Sequence, residues 1–264
     1  MIGKYLTFVI VLVIAVLVRK VQIRIETLSL PPFFTFNDQG CSLVGGDIGL
    51  IGSEDLALGK HSILFITSGD LETTFEHGAQ QADNGAIWMM DARQGAAGVP
   101  TKVELINFPA GKLFQPHGFD VSNATDRMYV VSHQGTRSSV EVFSIQYQVP
   151  CVTADTWSCP PASLTHLTSV QSHLFPSYGI NDVVELDDDH VYVTQWQHDS
   201  FPQHGKRHPA GLRDIVNTLL EIVFTMFGLQ FTHVHVCSIK DSVCSVASDQ
   251  TFVGANGITI NNER

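Results

Sequence analysis

Residues 116–147 read PHGFDVSNATDRMYVVSHQGTRSSVEVFSIQY. Two runs rich in β-branched and aromatic residues, Arg127 to Ser132 and Ser139 to Tyr147, alternate with segments of turn-forming Asn, Gly and Ser, the pattern of short consecutive strands. His117, a polar residue, stands just ahead of an apolar run. The same arrangement recurs at Glu54-Asp55-Leu56, Asn181-Asp182-Val183 and Asn256-Gly257-Ile258, at intervals of 63, 64 and 75 residues. In the first three cases a turn and a second strand follow. Further strands are expected at Ser62–Thr67, Ala86–Met90, His190–Thr194 and His233–Ile239, with an opening strand of a fourth unit at Gly257–Ile260. An all-β chain of this kind is a sandwich, barrel or propeller, and the loose repeat favours a β-propeller, in which each innermost strand starts near a central channel. The period exceeds the roughly 40–50 residues of an ordinary blade, so inserted strands or long loops fill each unit.

Composition agrees with a packed globular chain. Of 264 residues, 44% are hydrophobic and 16% charged, enough to build a core. The net charge of −11, with no basic stripe, speaks against nucleic acid and for cation binding. Leu6 to Val18 is a nearly unbroken apolar run between Lys4 and Arg19-Lys20. As a helix it reaches about 20 Å, short of the roughly 30 Å hydrocarbon core, which suits a signal-peptide core. No small-residue cleavage site follows directly, so cleavage and retention as an anchor both stay open. Asn123-Ala124-Thr125 is a glycosylation sequon in an expected turn. Of the five cysteines, Cys151/Cys159 and Cys237/Cys244 are spaced to staple local loops, which leaves Cys41 over. One helix is expected, at Leu212–Phe227, with apolar residues at helical spacing and Gly228 as its stop. It packs on the sheets or faces a membrane.

The chemistry-bearing residues gather at the strand openings. Glu54, Asn181 and Asn256 are oxygen donors that converge at one channel mouth if the repeat closes around an axis. A mixed carboxylate and amide set suits Ca²⁺ better than Zn²⁺. Asp55 and Asp182, one residue further along, are expected to point to the opposite side and serve a second, deeper ion. His117 and His133 flank the Asn123–Arg127 turn, so an antiparallel pair brings them to the same end, where two imidazoles can divide proton transfer. No GxSxG, HExxH, P-loop or GxGxxG motif is present, which removes support from serine hydrolase, zinc protease and nucleotide-binding readings.

Six blocks, Gly52-Ser53-Glu54-Asp55-Leu56, Pro116-His117-Gly118, Tyr129-Val130-Val131-Ser132-His133, Ser139-Val140-Glu141-Val142-Phe143, Ile180-Asn181-Asp182-Val183 and Ala255-Asn256-Gly257-Ile258, occur in the order and approximate spacing of one family. The chain resembles the serum paraoxonase/arylesterase family. Cys41, a few residues before the Glu-Asp block, matches as well. The resemblance implies a signal peptide or anchor over 1–24 and a partial six-bladed propeller hydrolase domain over 25–264. It implies two calcium ions: a catalytic one held by Glu54, Asn181 and Asn256, and a structural one held by Asp55, Asp182 and the main-chain carbonyl of Phe119. It assigns a histidine dyad to His117 and His133. The implied activity is hydrolysis of aryl esters and lactones, with the cation polarising the carbonyl. The N-terminal segment and the 212–227 helix would seat the chain on a membrane or lipoprotein surface in the secretory pathway.

The chain departs from the family pattern in three places. The family completes its catalytic calcium site with an Asp-Asn pair in the blade after the Asn-Gly motif, and pairs Cys41 with a late cysteine; neither occurs within 264 residues. Thr194-Gln195-Trp196-Gln197 stands where the family carries Thr-Asn-Asp-His. A weakly active or inactive 264-residue form, with an under-coordinated cation and exposed sheet edges, is the resulting expectation. A non-catalytic, calcium-stabilised propeller that binds lipid or a protein partner is the alternative from another class. A gluconolactonase-like calcium hydrolase fits the block spacing and the N-terminal segment less well.

Overall fold

In the apolar runs, neighbouring side chains go to opposite sides of a sheet, and this alternation builds two separate cores. Met128, Val130, Phe143 and Ile145 face one way, packing on Ile63, Phe65, Ile87 and Met89. Tyr129, Val131, Val140 and Val142 face the other way, packing on Ile180, Val183, Val191 and Val193. Burial of each such side chain stabilises by roughly 1.5–3 kcal/mol. The middle sheet is thus sandwiched between two others, which explains why its strands read as almost continuously hydrophobic.

The computed structural model describes residues 48–70, 73, 84–134, 137–148, 152–153, 156–157, 162–176, 179–196, 232–252 and 254–260. Among them lie three sheets and a short hairpin. The first sheet comprises β1 (Leu56–Leu58), β2 (Ile63–Ser68), β3 (Ala86–Asp91) and β4 (Thr101–Lys102) in sequential antiparallel order. The second takes β5 (Glu104–Ile106), β6 (Pro116–Ser122), β7 (Arg127–His133), β8 (Ser138–Tyr147) and β11 (Ala162–Val170), in the order β5-β11-β8-β7-β6. β5 joins β11 in parallel at the outer edge, and β9 (Val152–Thr153) with β10 (Thr156–Trp157) forms the hairpin. The third sheet is β12 (Ile180–Glu185), β13 (His190–Gln195), β14 (Val234–Ser238) and β15 (Val243–Val246), again sequential and antiparallel. β1, β6 and β12 are each an edge strand of their sheet, and β6 lies against both β1 and β12. The architecture is all-β, built of successive sheets.

The expected strands are present with boundaries shifted by a residue or so, except at Gly257–Ile260. There the chain forms no ladder. The Ile258 N–H goes to the Asp182 carboxylate, 2.8 Å away, rather than to a neighbouring strand. Cys237 and Cys244 form a disulfide across directly opposed positions of β14 and β15. The apolar run Leu6–Val18, the helix expected at Leu212–Phe227, and Cys41, Cys151 and Cys159 lie outside the described residues. No helix among the described residues is long and apolar enough to cross a membrane.

One charge is buried inside the first core. Glu141 lies on the same face of β8 as Phe143 and is fully buried. Its Oε1 accepts from Lys112 Nζ at 2.7 Å, Gln134 Nε2 at 2.7 Å and the Ser139 hydroxyl; Oε2 accepts from Ser169 at 2.7 Å and lies 2.9 Å from His166 Nε2. Burial alone would raise this carboxyl, but the bonds from Lys112, Ser139 and Ser169 outweigh it and hold it below the ordinary value. A carboxyl depressed in the folded state stabilises the fold above its unfolded value and loses that contribution as pH falls through its folded value. Glu141→Gln is expected to lower the unfolding free energy by about 3–5 kcal/mol at pH 7, because Lys112 is left without its anion. Urea midpoints between pH 7 and pH 3 check this: the gap between wild type and variant should close below pH ~4.5.

Candidate functional site

The strand openings share a local irregularity. In β6 against β7 the register shifts between Pro116 and Phe119, and in β12 against β13 it shifts between Ile180 and Val183. Such a bulge sets two residues opposite one and re-aims their side chains. The bulged pairs are His117-Gly118 and Asn181-Asp182. The repeat is visible atom by atom as well. The Asp55 N–H donates to Thr67 Oγ1 and the Asp182 N–H to Thr194 Oγ1, each at 3.0 Å and each twelve residues apart.

These openings meet around one cavity of about 270 Å³, lined by Glu54, Asp55, His117, Gly118, Asn181, Asp182, Trp196, Asn256 and Gly257. Glu54, Asn181 and Asn256, expected together, are together. Asp55 and Asp182 line the same cavity, so the strict in-and-out alternation expected of a regular strand does not hold. At Asp182 the bulge is the physical reason, and Asp55 precedes the first residue of β1. Phe119 is buried in β6, where its N–H donates to Asp55 Oδ2 at 3.0 Å. Asn123 sits on the exposed turn at the far end of β6. It lies six residue steps along the chain from His117, about 20 Å at ordinary strand rise.

Carboxylates stitch successive openings together. Asp55 Oδ1 accepts the N–H of Leu56 and Oδ2 that of Phe119, in the next sheet. Asp182 accepts from Val183 and from Ile258 in the same way. Asp120 repeats the pattern between the second and third sheets, accepting from Val121 at 2.9 Å and from Glu185 at 2.9 Å. Sequence reasoning missed Asp120, although an acidic residue two places after Gly118, within an otherwise apolar inner strand, was a usable signal. Burial, with added repulsion from Asp55 and Asp120, pushes Asp182 up to about 6 despite its two N–H donors. Asp120 is raised as well, chiefly by burial.

His117 and His133 are buried side by side, with His117 Nδ1 3.0 Å from His133 Nε2. Asn181 Nδ2 lies 3.3 Å from His117 Nε2, and Glu54 Oε2 lies 3.6 Å from the same atom. Burial, partly offset by Asp55, lowers His117 to about 4; burial and the neighbouring His117 hold His133 well below its usual value. Both rings are therefore neutral near pH 7. Trp196 closes one side, its ring edge-on to His117 with 6.4 Å between centroids. The main-chain N–H of Trp196 donates to the Gly179 carbonyl at 2.9 Å.

The donor set is one of hard oxygens, and the mutual repulsion of its carboxylates is the kind of strain that a bound cation relieves. It is a mixed set: among the described residues no three His, Cys, Asp or Glu side chains form a metal-binding group by themselves. A cation held here would draw on the amides of Asn181 and Asn256 as well.

Successive sheets that aim carboxylate, amide and imidazole groups into one cavity define a class: an all-β protein with a polar, histidine-backed site. A family model described as Arylesterase matches residues 35–264, and the chain belongs to that family. Similar curated proteins include human serum paraoxonase/lactonase 3, 26% identical over 79% of this chain and 50% of its own length. Bovine serum paraoxonase/arylesterase 2 is 26% identical over 93% of this chain and 57% of its own length. Human serum paraoxonase/arylesterase 1 is 31% identical over 58% of this chain and 39% of its own length. The chain spans about half the length of the curated relatives it matches.

Gly118 has no room for a side chain. A Cβ there would stand 2.5 Å from Asp182 Oδ1, 2.6 Å from the Asn181 carbonyl oxygen and 2.8 Å from Asp182 Cα. Gly118→Ala is expected to destabilise the fold by about 1–3 kcal/mol, since backbone atoms cannot swing aside. Thermal denaturation checks this, with the exposed Gly111→Ala, whose Cβ meets nothing within 4 Å, compared at its own φ of +74°.

Proposed function

We propose that this chain is a hydrolase of aryl esters and lactones that depends on calcium, a reading supported by its family and by the names its relatives carry. The observation that carries it is the pair His117–His133, buried directly behind a cavity whose mouth bears Glu54, Asn181 and Asn256. Glu54, Asn181 and Asn256 would hold the catalytic ion; Asp55, Asp182 and the Phe119 carbonyl would hold the structural one. When bound, the catalytic ion supplies charge that polarises the carbonyl and steadies the developing oxyanion. His117 presents an imidazole nitrogen to the cavity and takes the proton of the attacking water, and His133 orients it from behind. Asn181, from the third sheet, donates to the same Nε2 at 3.3 Å and orients the ring until the attacking water takes its place. The indole of Trp196 forms an apolar wall that suits a flat leaving group.

The finer architecture belongs to the same proposal. Three successive sheets with abutting inner strands are the partial course of a six-bladed propeller. The Cys237–Cys244 disulfide supports an oxidising, secretory-pathway setting. Glycosylation at Asn123, an N-terminal signal or anchor, and seating on a membrane or lipoprotein surface complete the reading.

Isothermal titration of the purified chain with Ca²⁺ tests the metal. Binding is expected, and Glu54→Gln and Asn181→Ala should each weaken it tenfold or more. Hydrolysis of phenyl acetate and of a simple lactone tests the activity, which a chelator should abolish and His117→Gln should reduce by about 10²–10⁴-fold. Absence of both binding and hydrolysis in a folded sample would overturn the proposal. Trp196→Ala is expected to raise KM for phenyl acetate more than for an aliphatic lactone, as steady-state kinetics on both substrates will show.

A further inference from the structure

We infer that Ser138 is a positioning residue that, through the carbonyl of Pro176, sets which nitrogen of each buried histidine carries its proton. The chain of contacts is short, and its two ends fix the direction of each hydrogen bond between them. A carbonyl oxygen has no proton, so in the 3.2 Å contact between them the Ser138 hydroxyl donates to Pro176. A hydroxyl has a single proton to give. The 3.0 Å contact between Ser138 Oγ and His133 Nδ1 is therefore made with the proton of the imidazole. His133 is fully buried and neutral, so it has that one N–H and no other. Its Nε2 is left as a lone pair, which accepts from His117 Nδ1 at 3.0 Å. The Asn181 amide nitrogen, which can only donate, meets His117 Nε2 at 3.3 Å at the cavity, so that nitrogen is the lone pair and Nδ1 carries the proton.

The anchor of this relay is well placed to be rigid. Ser138 is buried and is the cross-strand partner of His133 at the end of β7 and β8. The His133 N–H is tied to the Gln115 carbonyl at 3.0 Å, which holds the backbone of the ring. Pro176 lies in the connection from β11 to β12, and Gly179 of that connection also fixes Trp196. One loop thus braces the histidine pair from behind and the indole wall from the side. Replacing Ser138 by alanine removes the acceptor at Nδ1 and lets His133 take its other tautomer. Its Nε2–H would then face His117, whose own proton would move to Nε2 and occupy the position that has to receive one.

The bearing of Ser138 on hydrolysis rests on the function proposed above, whereas the tautomers do not, and one set of samples separates the two. Long-range ¹H–¹⁵N correlation on the full chain labelled at histidine reads the protonated nitrogen of each ring directly. In the wild type at neutral pH, His133 and His117 are expected to carry protons on Nδ1. In Ser138→Ala, signal should move to the Nε2–H forms, and Ser138→Thr, which keeps a hydroxyl, should restore the wild-type pattern. Phenyl acetate kcat should fall by about 10²–10⁴-fold in Ser138→Ala with KM little changed, and recover in Ser138→Thr. A wild-type His133 protonated at Nε2 would overturn the inference without any variant, as would unchanged tautomers in folded Ser138→Ala. The expected tautomers in a wild type that hydrolyses nothing would uphold the inference and sink the proposed function instead.

Discussion

Neighbouring inner strands of different sheets do not pair as a ladder, yet their backbone N–H groups point at one another and have to be satisfied. In this chain aspartates do that work. Asp55, Asp120 and Asp182 each accept the N–H of the next residue and an N–H from the next unit, so three consecutive junctions close by the same means. Hydrogen bonds to a charged acceptor contribute about 1.5–3 kcal/mol, and each carboxylate makes two. The cost is electrostatic. The negative groups face one another in a half-buried space, and Asp182 feels both of the others. Fold and site are therefore one arrangement: the groups that join the sheets also create the demand for positive charge at their centre.

Runs of β-branched and aromatic residues between turn-forming residues made most of the strands legible, because the middle sheet is buried on both sides and its strands read as continuous apolar stretches. The in-phase polar residues marked the cavity correctly as well. Glu54, Asn181 and Asn256 share it because each stands at the opening of a repeat, and His117 and His133 meet because one turn joins their strands. What could not be read were departures from regular strand geometry. A bulge is a register property of two paired strands, so nothing local to Asn181-Asp182 reports that both side chains reach one space.

Buried polar partners were also hidden. Ser-Val-Glu-Val-Phe places Glu141 on the same face as Phe143 and supplies one partner, Ser139, yet the other four come from three further segments that only the folded chain assembles. Ser138 is similar: as a serine at a strand start it is unremarked in sequence, and its meaning depends on a proline carbonyl 38 residues away. Asp120 had a pattern that could have been used. It sits on an inner strand where the flanking residues are apolar, and a charge in such a place needs a partner.

The bare α-carbon at Gly118 has a consequence for how such a chain diversifies. Asp55 and Asp182 stand at the corresponding position of the first and third openings, and Asp182 presses against Gly118, so an aspartate copied into the second unit would drive a carboxylate into the main chain of Asp182. The second and third repeats are thereby kept unlike at this position by steric contact alone.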